Sequence, residues 1–173
     1  TTVDLKLIQG REYEVLFWAA DAQAPYTVDW DAKTMTVRDV LTANKEEYDA
    51  FFKYEDLGAV NGAISRTIEL RRPFAQLNIG TGDTTEAEMA KFAVSQTEVT
   101  VEKIYNTLNF VDGSVSGEVP TTFALAAKAT GTISANGKSY DHIAMNYLLV
   151  GDKKLVNVTL NLFPYSATTA QTS

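Results

Sequence analysis

An all-β, antiparallel sandwich carrying two short helices is the fold class this sequence predicts, on three observations. Apolar and polar residues alternate through much of the chain, the period-two pattern of strands with one buried face. Asn136-Gly137 interrupts the tract GTISANGKSYDHI, a strong hairpin signal because both residues tolerate positive φ. The alternation also changes parity around Arg71-Arg72-Pro73: Ile68 and Leu70 are even, Leu77 and Ile79 odd. Proline cannot donate to a ladder, so a slip at Pro73 predicts a bulge or a strand crossing between sheets, a corner common in sandwiches.

Taken in order, Val3, Leu5 and Leu7 alternate with Asp4 and Lys6 and predict a first strand. A turn at Gln9-Gly10 leads into Tyr13, Val15 and Phe17, so the two segments predict a hairpin. Met35 and Val37 between threonines predict a short strand. Asn44 with Glu47 forms a capping-box pattern, and Tyr48, Phe51 and Phe52 behind it predict a short helix. Asp83 with Glu86, followed by Met89, Phe92 and Ala93, predicts a second. Val99 and Val101 mark a further strand, and Ile143, Met145, Tyr147 and Leu149 are expected on one face of another. Val156, Val158, Leu160 and Leu162 alternate with Asn157, Thr159 and Asn161 in the last. One domain spanning 1–165 is expected, with a polar tail over 166–173.

Composition narrows the function. The chain has 173 residues and a formal net charge of −7. Its basic residues are scattered, which argues against a nucleic-acid partner, because phosphate binding needs clustered Lys and Arg. The absence of cysteine removes thiol nucleophiles, disulfides and Cys-ligated metals. No apolar run approaches the roughly 20 residues of a membrane span, and no signal segment opens the chain.

Candidate chemistry is sparse. The single histidine, His142, adjoins Asp141 in a strand. Neighbours in a strand point to opposite faces, so Asp141 cannot orient its imidazole as a triad requires. Asp29 and Asp31 flank Trp30, and Glu46 adjoins Glu47. Two visible ligands fall short of the six to eight oxygens calcium takes, and no hydrolase, phosphate-loop or zinc motif occurs. No catalytic, cofactor-binding or metal-binding residue is assigned. Tyr26 and Trp30 are the candidate ligand contacts, either as an aromatic platform at a loop tip or as rings packed over the core.

Six tracts in order, REYEVLFWA, YDAFF, IELRRPFAQLNIGT, YNTLNF, MNYLLVG and LVNVTLNLF, resemble the fimbrillin-like surface proteins of Bacteroidales-type bacteria. The resemblance runs from about Gly10 to Phe163, and RRPFAQLNIGT is its most specific stretch. It implies a transthyretin-like Greek-key sandwich, exported as a lipoprotein and displayed on the outer membrane. It also implies a pilus subunit or surface adhesin, not an enzyme, that polymerises when one subunit lends a strand to its neighbour. The partners so implied are other copies, related fimbrial subunits, or a host or bacterial surface receptor. Contact with a membrane would run through a lipid anchor that this chain does not carry. The sequence departs from the family in lacking a lipobox cysteine, an early strand and the usual closing strand after Phe163. Either the chain is a fragment or those strands come from elsewhere, with Val3, Leu5, Leu7, Val156, Val158, Leu160 and Leu162 as candidate pairing edges. The rival expectation is an extracellular carbohydrate- or protein-binding module that uses the Tyr26 and Trp30 loop.

Overall fold

Residues 2–82, 94–153 and 155–164 are described in the computed structural model, and they are nearly all β. In chain order the strands are β1 Glu12–Ala20, β2 Tyr26–Asp29, β3 Thr34–Val37, β4 Leu41–Thr42, β5 Ala50–Ala59 and β6 Ala75–Thr81. They continue as β7 Val94–Asn109, β8 Val115–Ala127, β9 Thr132–Ala135, β10 Lys138–Leu148 and β11 Val158–Pro164. They form three sheets: β1-β5, β6-β10-β9, and β2-β3-β7-β8-β4 with β11 added beside β7. Pairing is antiparallel except between β4 and β8, where Leu41 and Thr42 run parallel to Phe123 and Ala124. That short pair corrects the expectation of purely antiparallel sheets.

Local chemistry accounts for the hairpins. Asn136 and Gly137 both take positive φ, 51° and 74°. They join β9 to β10 with Lys138 opposite Ala135, as the Asn-Gly signal predicts. Gly10 also lies at φ 79°, but the hairpin expected there does not form. The Gly10 N–H donates to the Val60 carbonyl and the Val60 N–H donates to Arg11. The backbone groups that would start a hairpin along β1 are thus spent on the far end of β5. β1 pairs with β5 instead, Val15 opposite Glu55 and Phe17 opposite Lys53. Residues 2–8 carry no ladder.

The parity break is a corner between sheets. Arg71 exchanges two backbone hydrogen bonds with Phe52 of β5, at 2.9 and 3.0 Å. Past Pro73 the chain enters β6 and pairs with β10, Leu77 opposite Asn146. Leu77 and Ile79 pack at the edge of the core. Ile68 is only half-buried and Leu70 is 40% exposed, because residues 61–70 have no ladder of their own.

Two apolar clusters hold the sheets together. Met35, Phe52, Leu108, Phe110, Met145 and Tyr147 lead the first. Leu41, Val99, Val101, Ile104, Phe123 and Leu148 lead the second. β10 feeds both: residues 143–149 are buried without a break, whereas alternation predicted one buried face. Trp18 packs on the first cluster, its ring 5.4 Å from that of Phe110.

The first expected helix is a single 3-10 turn, Glu46–Tyr48, whose N-cap Lys45 makes no side-chain cap. Asn44 lies at φ 62°, and its side chain does other work. Its Nδ2 donates to Thr97 Oγ1 (2.9 Å) and to the Ala127 carbonyl (2.7 Å), and its Oδ1 accepts from the Met145 N–H (2.8 Å). One amide thereby ties β7, the end of β8 and β10 together, which overrides the capping box. Phe51 and Phe52 follow in β5, where neighbours face opposite ways. The second expected helix, over 83–93, and the tail over 166–173 lie outside the described residues.

Candidate functional site

The last strand offers an edge. β11 pairs on one side with β7, Val158 opposite Val101, Leu160 opposite Val99 and Leu162 opposite Thr97. No strand lies on its other side among the described residues. Leu160 reaches the second cluster, and Asn161 Nδ2 donates to Glu98 Oε1 at 2.9 Å on the opposite face. Val156 packs on the same cluster but precedes the strand, so only Val158, Leu160 and Leu162 of the four expected residues stand on the ladder.

Val3, Leu5 and Leu7 are not on a strand, which corrects the expected edge. Val3, Leu5 and Ile8 are 65, 56 and 68% exposed. The arm formed by residues 2–8 is held where Ile8 N–H donates to Tyr13 Oη at 2.8 Å. Beside this arm is a hollow of about 600 Å³, lined also by Val15, Phe17, Leu57, Ile64 and Ile68. Because Leu16 and Trp18 face the core, Val15 and Phe17 occupy the other face of β1. The two-stranded sheet is thus apolar on both faces.

Tyr26 and Trp30 do not form a platform. Tyr26 is partly buried, stacked on Phe74 at 5.0 Å and edge-on to Trp18 at 5.7 Å, with its hydroxyl donating to the Tyr48 carbonyl. Burial above all pushes its phenol well above the ordinary range. Trp30 lies past the end of β2 in the turn to β3 and is 59% exposed. Asp29 serves that turn, its Oδ1 accepting from the Ala32 N–H at 2.8 Å. His142 Nε2 lies 3.1 Å from the Ala144 carbonyl, at a register shift in β10. Among the described residues no three His, Asp or Glu side chains gather to hold a metal, and no helix is long and apolar enough to cross a membrane.

Sequence reasoning missed two features. Asn146 is 2% exposed, with neither amide atom hydrogen-bonded among the described residues; nothing in its tract MNYLLV marks both faces of β10 as buried. A second hollow, about 340 Å³, lies under the link from β3 to β4 against Ile104, Val119 and Phe123. The bulge beside it is not visible in the pattern of β7. Among the surface ion pairs, two join residues distant in sequence and depress a carboxyl. Lys33 donates to Glu14 and holds its carboxyl below the usual range, and Lys153 does the same to Glu118.

Compared with known proteins, the chain matches over residues 1–173 a model described as a family of unknown function (DUF6562). No curated protein matches, and no solved structure does.

Proposed function

We propose that this chain, which belongs to the DUF6562 family of unknown function, is a structural subunit of a bacterial surface fimbria or a surface adhesin. On this reading it is no enzyme, sits outside the cell at the outer membrane or in a fimbrium, and has a Greek-key connectivity. It assembles by strand complementation with other copies or related subunits. The fimbrillin-like tracts read in the sequence support this.

The observation that carries the reading is a shortfall in pairing. Residues 2–8 have the alternation of a strand and no ladder, while β11 has a ladder on one side only among the described residues. A strand edge left open templates pairing with another chain. Each apolar anchor such as Val3 or Leu5 would contribute about 1.5–3 kcal/mol on full burial. The aromatic-loop alternative loses Tyr26 to the core and retains only Trp30.

Hydrogen exchange on isolated and assembled chains tests the proposal. Amides of 2–7, and those of 158–163 that point away from β7, are expected to exchange freely in the isolated chain and to be protected in the assembly. Equal protection in both states would remove the physical basis for a polymerising subunit.

A further inference from the structure

The hollow under the link between β3 and β4 has the features of a small-molecule site. Its volume of about 340 Å³ falls at the lower end of the roughly 300–1,000 Å³ usual for such sites. It lies beside a slip in the β7–β8 register, between Val101 and Ile104, with Lys103 at φ 57°. Pro120, which has no N–H to give, sits opposite that slip. The floor is apolar, with Leu41, Ile104, Phe123 and Leu149 exposed by 4, 3, 1 and 2%. Rings form the walls, among them the stacked Tyr26 and Phe74, Tyr48 and Tyr147.

The polar groups sort into spent and unspent. Tyr26 Oη is committed to the Tyr48 carbonyl, and Tyr147 Oη to Glu46 at 3.0 Å. Arg38 lines the mouth, and one Nη2 N–H donates to the Ala24 carbonyl at 2.7 Å. That bond fixes the guanidinium and leaves its remaining N–H groups without partners among the described residues. Tyr48 Oη accepts only a long contact from the Thr42 N–H, at 3.4 Å, so its proton is free. Asn106 Oδ1 accepts from Thr107 Oγ1 at 2.9 Å, and its amide N–H groups have no described partner. The unspent groups are thus the N–H groups of Arg38 and Asn106 and the hydroxyls of Tyr48 and Thr121, all able to donate, together with the exposed carboxylate of Asp39.

Flat walls suit a ring, and a guanidinium with free N–H groups suits an oxyanion. We propose that this cavity binds a small molecule with a planar apolar ring and a carboxylate head, the ring between the tyrosines and the head on Arg38. The site is independent of strand pairing, since neither residues 2–8 nor β11 line it.

Titration of the purified chain with indole-3-propionate, its neutral analogue indole-3-propanol, and glucose, followed by amide NMR shifts, tests this. Expected is saturable binding of the carboxylate, one per chain, with shifts centred on residues 37–41 and 104–106. The alcohol is expected to bind about tenfold more weakly. Arg38→Gln, at an exposed position, should bring the carboxylate down to the affinity of the alcohol. Val119→Phe, or Thr121→Leu should the former fail to fold, fills the hollow and should abolish both. Any of four results would overturn the proposal: no saturable carboxylate binding up to about 1 mM, equal binding of glucose, shifts centred on Val15, Phe17 and Leu57, or binding indifferent to Arg38→Gln.

Discussion

Single residues carry much of this fold's specificity, and Asn44 is the clearest case. Its three hydrogen bonds reach β7, the end of β8 and β10, from a backbone at φ 62° that asparagine tolerates better than alanine. Asn44→Ala is expected to cost about 4–5 kcal/mol, at about 1 kcal/mol for each of three hydrogen bonds plus the left-handed strain. Asn44→Gly should recover the strain and nothing else. Urea denaturation of both variants separates the two contributions. The sequence pointed to Asn44 but gave it the wrong task. Asn-x-x-Glu before an aromatic pair is also what a capping box looks like, and only the arrival of Thr97, Ala127 and Met145 decides between them. Tyr26 is a similar case: the ring was legible, its partner Phe74 was not.

At the scale of elements, alternation located β1, β7, β10 and β11 because each has at least one core-facing row. It failed at residues 2–8, whose pattern is equally regular, because alternation reports a face and says nothing about a partner. β8 was missed altogether, since Gly117 and Pro120 argue against a strand in its middle. Pro120 is tolerated opposite the slip in β7, where Val101 pairs with Thr121 and Ile104 with Val119, so no ladder bond is asked of it. β1 also has an electrostatic clamp. Glu14 accepts from Lys33 and from Tyr54 Oη, the latter at 2.5 Å, and Tyr54 is pushed up to about 12 by that bond. A carboxyl held below its ordinary 4.5 stabilises the fold above that value and loses its contribution as pH falls through the depressed one. Melting temperature should thus drop on acidification below about pH 4.5. Glu14→Gln should make that drop shallower while lowering the value at pH 7; an unchanged acid limb would show that the clamp contributes nothing.

For the whole molecule, assembly and stability are separable. Because Val3 and Leu5 are more than half exposed, Val3→Glu with Leu5→Glu should leave isolated-chain stability within about 0.5 kcal/mol. The same pair should abolish polymer formation, read by sedimentation; polymers of normal length would rule out the arm as an assembly element. The Asn44 tie has one more consequence, for biogenesis. Its three hydrogen bonds close loops of 53, 83 and 101 residues, and β11 returns to β7 only at the far end of the described chain. A chain that gains structure from its N-terminal end holds Asn44 long before Met145, so the amide waits without native partners while most of the strands are added. Contacts this distant in sequence form slowly, and unpaired edges in the interval invite misassociation. Closure of this fold is therefore a late event in its folding, and a chain cut before residue 145 is expected to aggregate more readily than the whole chain.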